Sequence, residues 1–206
     1  MKYLLLFFVT VLLISCSPKL TGSFSRLSGP EKSWVLLHPF NAKKGYTTTV
    51  EVRTTVDSIA RRGLIGNDNN GGHLDAFKHS FWMARLTQHI GERAANSLGK
   101  AHEKGNYKAY LRRKYEEGVL PDEQSSEMDF YNNAVGISVG RAFKKSAKNN
   151  IIDKLLDSLN KGKLRVLNKD SQGYFLDCHN RRIPPDSLLN RWNTKKCLVP
   201  SNSYSY

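Results

Sequence analysis

Gly72-His73-Leu74-Asp75-Ala76-Phe77-Lys78-His79-Ser80-Phe81-Trp82-Met83 is the stretch on which the reading of this chain turns. At helical spacing Asp75, His79, Trp82, Met83, Leu86 and Ile90 share one face, and Phe77, Phe81 and Ala84 make the neighbouring face apolar. A helix apolar over so wide an arc belongs at the centre of a fold. Asp75 and His79 therefore head a buried stripe. They need partners there, because an unpaired buried polar group costs about 1–3 kcal/mol.

Two further helical stretches offer such partners. Leu98-Gly99-Lys100-Ala101-His102-Glu103 supplies an imidazole and a carboxylate, and Met128-Asp129-Phe130-Tyr131-Asn132-Asn133-Ala134-Val135-Gly136 supplies a carboxylate and two amides. In the latter, Met128, Asn132, Val135, Val139 and Ala142 form a stripe, with Asp129, Asn133, Gly136 and Gly140 beside it. Gly136 and Gly140 each weaken a helix by about 1 kcal/mol relative to Ala. The expected return is close approach of another helix backbone. The expected assembly sets Asp129, Asn132 and Asn133 against Asp75, His79 and the His102-Glu103 pair.

Working outward, the pattern predicts a mainly α fold: a compact helical domain over residues 31–200 with a small C-terminal β-hairpin at 163–177. A short helix over Glu31 to Phe40 breaks near Pro39. Thr47 to Arg62 is ambiguous, and Val50, Val52, Val56, Ile59 and Ala60 favour a helix ending at Gly63 over a strand. Gly66-Asn67-Asp68-Asn69-Asn70-Gly71-Gly72 is a loop whose Asn can cap the central helix. Its spacing does not fit a calcium loop and lacks the distal Glu. The central helix ends at Ile90, and the next runs from Glu92 to Lys104, closed by Gly105. A charged surface stretch follows to Gly118. Ser125 or Ser126 is expected to cap the helix carrying Asp129, and Asn149 or Asn150 the helix that buries Ile151, Ile152, Leu155, Leu156 and Leu159. Leu164-Arg165-Val166-Leu167 and Tyr174-Phe175-Leu176 flank a turn and read as the hairpin. Pro184-Pro185 opens a short helix through Trp192, and residues 201–206 are expected to be loose.

Residues 1–15 read as a targeting segment: Lys2, then an apolar run from Leu4 to Ile14 that is short for a membrane span. It ends Leu13-Ile14-Ser15-Cys16, which looks like a bacterial lipobox. That resemblance implies cleavage before Cys16, its acylation, and membrane lipids as partners through it; an uncleaved N-terminal anchor or a plain secretory peptide is the alternative. Ser17, rather than Asp, after the Cys favours the outer membrane by resemblance to enterobacterial sorting. Residues 16–30 read as a tether. With Cys16 assigned to lipid, Cys178 and Cys197 remain as a pair suited to a disulfide in an oxidising compartment. Two separate buried thiols are the alternative.

The net charge is +14. Residues 141–196 contribute 14 Lys/Arg against 5 Asp/Glu, hence +9 of it. Such a surface attracts anionic lipids or envelope polymers. The aromatic spacing of a nucleic-acid module is missing, which argues against nucleic acid as a partner.

Two chemistries suit the polar residues. His79, His102 and Asp129 would hold a divalent metal such as zinc, with a further carboxylate to activate water. Without metal, His79 or His102 would act as general base oriented by Asp75 or Asp129, with Asn132 and Asn133 on an oxyanion. Glu103 as general acid would suit glycan cleavage. The chain has no G-x-S-x-G elbow, P-loop or paired C-x-x-C.

The series Asp75-Ala76-Phe77-Lys78-His79, Ala101-His102-Glu103 and Met128-Asp129-x-x-Asn132-Asn133-x-x-Gly136 resembles an uncharacterised bacterial domain family of envelope lipoproteins and toxin-like proteins. Its pattern is Asp-x-x-Arg-His, His-Glu and Asp-x-x-Asn-Asn-x-x-Gly. Lys78 stands where Arg is usual, which keeps the charge and loses the bidentate fork. The resemblance covers roughly residues 34–141 and extends to the Leu198–Ser201 end. It brings no established activity; occurrence in toxin-like proteins implies an enzyme.

Two functions follow. One is an envelope hydrolase of phospholipid, peptidoglycan or another phosphate or glycan bond, with His79, His102, Glu103 and Asp129 catalytic and Asp75, Lys78, Asn132 and Asn133 binding substrate. The other is a non-catalytic lipoprotein whose polar cluster is structural and whose basic surface binds membrane or a protein.

Overall fold

The computed structural model describes residues 24–115 and 119–203. The targeting segment and Cys16 lie outside them. The fold is mainly α. Its helices are α1 (Gly29–Leu37), α2 (Pro39–Arg61), α3 (His73–Ile90), α4 (Glu92–Leu111), α5 (Glu123–Ala142) and α6 (Lys148–Asn160). Strands β1 (Arg165–Leu167) and β2 (Leu198–Pro200) pair antiparallel, Val166 opposite Val199.

Helix α3 is the axis of the fold. Its apolar arc feeds three clusters: Phe77, Phe81 and Ala84 pack with α2 and α6, Met83 and Leu86 with Trp34 and Leu98, and Ala76 with Leu159, Leu164 and Val166. On its remaining flank α3 meets α5 at backbone distance. A Cβ at Gly136 would lie 2.1 Å from the Ser80 carbonyl oxygen, and one at Gly140 2.4 Å from that of Ala84. The two glycines expected to admit a helix backbone do so, and this close seam holds Asp129 against His79.

Several local expectations give way to tertiary contacts. Helix α4 is not closed by Gly105; it continues to Leu111, and Gly105 marks where Ser28 crosses, 2.5 Å from the position of a Cβ. Asp122, not Ser125 or Ser126, caps α5, its carboxylate accepting from the Ser125 amide at 2.8 Å. No Asn side chain caps α3 or α6; their caps are Gly72 and Ala147. The turn after Leu167 forms, with a single bridge from Lys169 to Phe175, but the ladder partner of β1 is Leu198–Pro200. Beyond Pro185–Ser187 the expected helix is replaced by turns, because the Trp192 ring lies on Tyr107 and Tyr110, 4.8 and 5.2 Å between centroids. Ser201, expected in a loose tail, is buried, its hydroxyl donating to the Leu159 carbonyl and its own carbonyl meeting His73 Nε2.

Cys178 and Cys197 form a disulfide that ties the loop after Leu176 to the approach to β2. None of the described helices is long and apolar enough to cross a membrane.

Candidate functional site

The loop before α3 sets the site. Gly71 adopts φ +80°, and its carbonyl accepts the Leu167 amide at 2.7 Å, so the loop is tied to β1. Its amide donates to Asp75 Oδ2 at 2.9 Å. Lys169 reaches across to Asp68 at 2.5 Å and holds the same loop from outside. Asp75 thus stands in the first turn of α3, where the positive end of the helix favours a carboxylate. Its Oδ1 takes the Lys78 ammonium at 2.9 Å.

One turn on, His79 presents Nε2 to two carboxylates, 3.7 Å from Asp75 Oδ1 and 3.4 Å from Asp129 Oδ1. All three side chains are buried, and one donor atom of each lies within 4.8 Å of the others. Burial drives the His79 pKa well below its ordinary value. The charges of Lys78 and His102 push the same way, and Asn133 beside the ring pushes back. His79 is therefore a neutral imidazole, able to offer a lone pair to a proton or a metal.

His102 stands next to this group rather than in it. Its ring centroid is 6.0 Å from that of His79 and 5.4 Å from Trp82, and its Nδ1 faces Glu31 Oε1 at 3.0 Å. Glu31 has a second task, since its Oε2 accepts the Ser28 amide at 2.8 Å and completes a capping box on α1. Burial raises the Glu31 carboxyl, but the hydrogen bond and charge of His102, with the Ser28 amide and hydroxyl, outweigh it and hold the pKa at about 2.

Asp75, His79, Asp129, His102 and Glu31 line one end of a cavity of about 680 Å³. Its walls include Trp34, Trp82 and Leu27, with Arg26, Arg53 and Lys78 as cations and the loop Asn67, Asn69 and Asn70 as amides. Phe24 and Leu27, expected in a tether, are part of this wall.

The other candidates are placed elsewhere. Glu103 turns away from His102 into the protein, where the Asn106 amide donates to it at 3.1 Å. Asn132 is fully buried and grips the backbone of Arg165, accepting from its amide and donating to its carbonyl at 2.9 Å each. It fastens β1 to α5. Asn133 lies behind the His79 ring, its amide nitrogen 3.5 Å from the position of a Gly99 Cβ on α4. The three donor groups brought together are thus Asp75, His79 and Asp129, with Asp75 in the place expected for His102. Sequence reasoning missed Glu31. Its signal was there, since Ser28-Gly29-Pro30-Glu31 is a capping-box pattern, but its pairing with His102 is a tertiary fact.

The fold and site define a helical domain with a His-carboxylate centre on the wall of a pocket of mixed charge. The chain belongs to the family described as a domain of unknown function, DUF6973, whose pattern matches residues 32–163. No curated protein and no solved structure matches it.

Proposed function

We propose that this chain is a lipid-anchored hydrolase of the bacterial cell envelope, held at the outer membrane through Cys16 and acting at Asp75, His79 and Asp129. One observation supports the reading above others: a neutral imidazole set between two buried carboxylates at the end of a 680 Å³ pocket. Buried groups with displaced pKa values in a cleft mark sites of chemistry. The wall sets Arg26, Arg53 and Lys78 among the carboxylates Glu31, Asp68, Asp75 and Asp129, and these cations could contact the anionic group of a phosphate ester such as a phospholipid.

The same three side chains suit a divalent metal. A four-coordinate ion with donors at about 2.0–2.2 Å needs them roughly 3.3–3.6 Å apart. The 3.4 and 3.7 Å separations in the site are close to that. Such an ion would supply a water of lowered pKa. Lys78 would then hold the substrate anion beside Asp75, and His102, fixed by Glu31, would stand within reach as a proton donor to the leaving group.

The second reading is a cluster that only locks helices. It draws on Asp75, whose two oxygens already hold the Gly71 amide and Lys78. Metal analysis, melting temperature and hydrolysis of phospholipid vesicles, peptidoglycan and a chromogenic phosphodiester, compared between the wild-type chain and Asp129→Asn, separate the two. The hydrolase reading expects activity to fall by about 100-fold or more in the variant with little loss of stability. A metal-free, inactive wild type whose melting temperature drops steeply on the substitution makes the cluster structural.

A further inference from the structure

The three most exposed large apolar side chains among the described residues lie within five positions of one another. They are Phe40 at 93%, Leu37 at 77% and Leu36 at 72% exposure. All three sit where α1 meets α2. The corner is a rigid one: His38 closes α1 with its ring stacked on Trp34 at 4.6 Å, and Pro39 starts α2 at once. Isolated exposed apolar residues are ordinary, but three of the most exposed at one helix–helix corner call for a use. Lys43 and Lys44, exposed in the first turns of α2, flank it. Neither is ion-paired to an acidic side chain among the described residues.

A protein partner and a second copy of the chain would each cover such a corner. An anionic bilayer fits it better. Apolar side chains next to a pair of lysines match the acyl boundary beneath a layer of phosphates, and the whole molecule carries +14. The chain also brings the corner to a membrane. Residues 17–23 separate Cys16 from Phe24 and span at most about 25 Å when extended. Residues 24–28 and helix α1, itself about 13 Å long, complete the path to the corner. The corner joins the two helices that wall the pocket through Glu31, Trp34 and Val35 on one and Tyr46, Thr49 and Arg53 on the other.

We infer that the α1–α2 corner is a membrane-insertion point: Leu36, Leu37 and Phe40 enter an anionic bilayer while Lys43 and Lys44 meet its phosphates. Insertion fixes how the anchored domain stands on the surface and brings the pocket wall to the lipid. The orientation draws on the lipid-anchor reading; insertion itself does not require it.

The test uses the full chain, taken from bacterial membranes and reconstituted into phosphatidylglycerol–phosphatidylethanolamine vesicles. Phe40→Cys is labelled with an environment-sensitive fluorophore, and Asp153→Cys, on exposed α6, serves as the comparison. Emission at residue 40 is expected to shift to the blue, with quenching by brominated lipids placing it about 5–10 Å below the headgroups. Residue 153 is expected to do neither. Water-like emission at residue 40 in vesicles overturns the inference. So does a blue shift that appears without vesicles and grows with protein concentration, which would give the corner to a second copy. Mass spectrometry of the same samples reads residue 16 separately. A label on an unacylated Cys16 ends the anchor reading, and the Cys16→Ser form on the same vesicles then decides insertion by the same emission.

Discussion

Glu31 does two jobs with one carboxylate, and its pH dependence follows from that. In the folded chain its pKa is about 2 against an ordinary value of 4.5. A depressed carboxyl gives stability that is complete above about pH 4.5 and is lost as the pH falls toward 2, worth at most about 3 kcal/mol. Glu31→Gln should therefore cost most near neutrality, up to about 3 kcal/mol, flatten the acid limb of the stability curve, and converge on the wild type as the pH falls toward 2. Thermal melts from pH 2 to 7 check this; a parallel loss at every pH would show that the His102 pairing does not set the Glu31 carboxyl. At Gly136 the argument is steric. A methyl group there would stand 2.1 Å from the Ser80 carbonyl, and both neighbours are backbone held in helices. Gly136→Ala should cost about 3 kcal/mol and lower the melting temperature by roughly 5–10 °C. Because Ser80 follows His79, the same substitution should also widen the gap between His79 and Asp129.

At the scale of elements, the C-terminal segment is fastened to the helices by polar groups as well as by the buried Leu164, Val166 and Leu167. Lys196 and Asp122 form an ion pair in which both side chains are buried, and Lys196 also lies over the Phe175 ring at 4.0 Å. Asp122 is the cap of α5 as well. Removing one partner strands the other charge away from water. Lys196→Met should therefore cost about 3–5 kcal/mol, read as a lower urea midpoint. Asn132 makes the second fastening, two hydrogen bonds to the Arg165 backbone. Asn132→Ala should destabilise by about 1–3 kcal/mol, and it should leave unchanged any metal bound at the proposed site, because Asn132 does not line the pocket. Loss of metal in that variant would place the amide in the site after all.

For the molecule as a whole, the disulfide closes a loop between residues 19 apart. On the chain-entropy account such a loop adds about 3 kcal/mol. Paired Cys178→Ser and Cys197→Ser substitutions should lower stability by up to that amount, and reduction of the wild-type chain should match them in urea titrations. A disulfide variant as stable as wild type would show that Lys196 and the β1–β2 ladder hold the segment alone.

The sequence by itself determined that the fold is mainly α, that α3 is its centre, and that Gly136 and Gly140 admit another helix. These are local matters: periodicity, small residues and the cost of burying polar groups are written in neighbouring positions. The convergence of Asp75, His79 and Asp129 was half legible, since the apolar stripes pointed their polar heads inward but could not rank His102 against Asp75. Rotation and register between helices made that choice. The α3–α5 seam closes to backbone contact and delivers Asp129 to His79, whereas α4 passes His102 to Glu31 on α1 and turns Glu103 into the interior. The strand that pairs with β1 was equally beyond local reading. Tyr174–Leu176 and Leu198–Pro200 both supply apolar residues at strand spacing, and the disulfide, Lys196 and the buried Ser201 bring the distant one to the ladder. Tertiary structure decides between partners of equal local merit, because the free energy that separates them lies in contacts far apart in sequence.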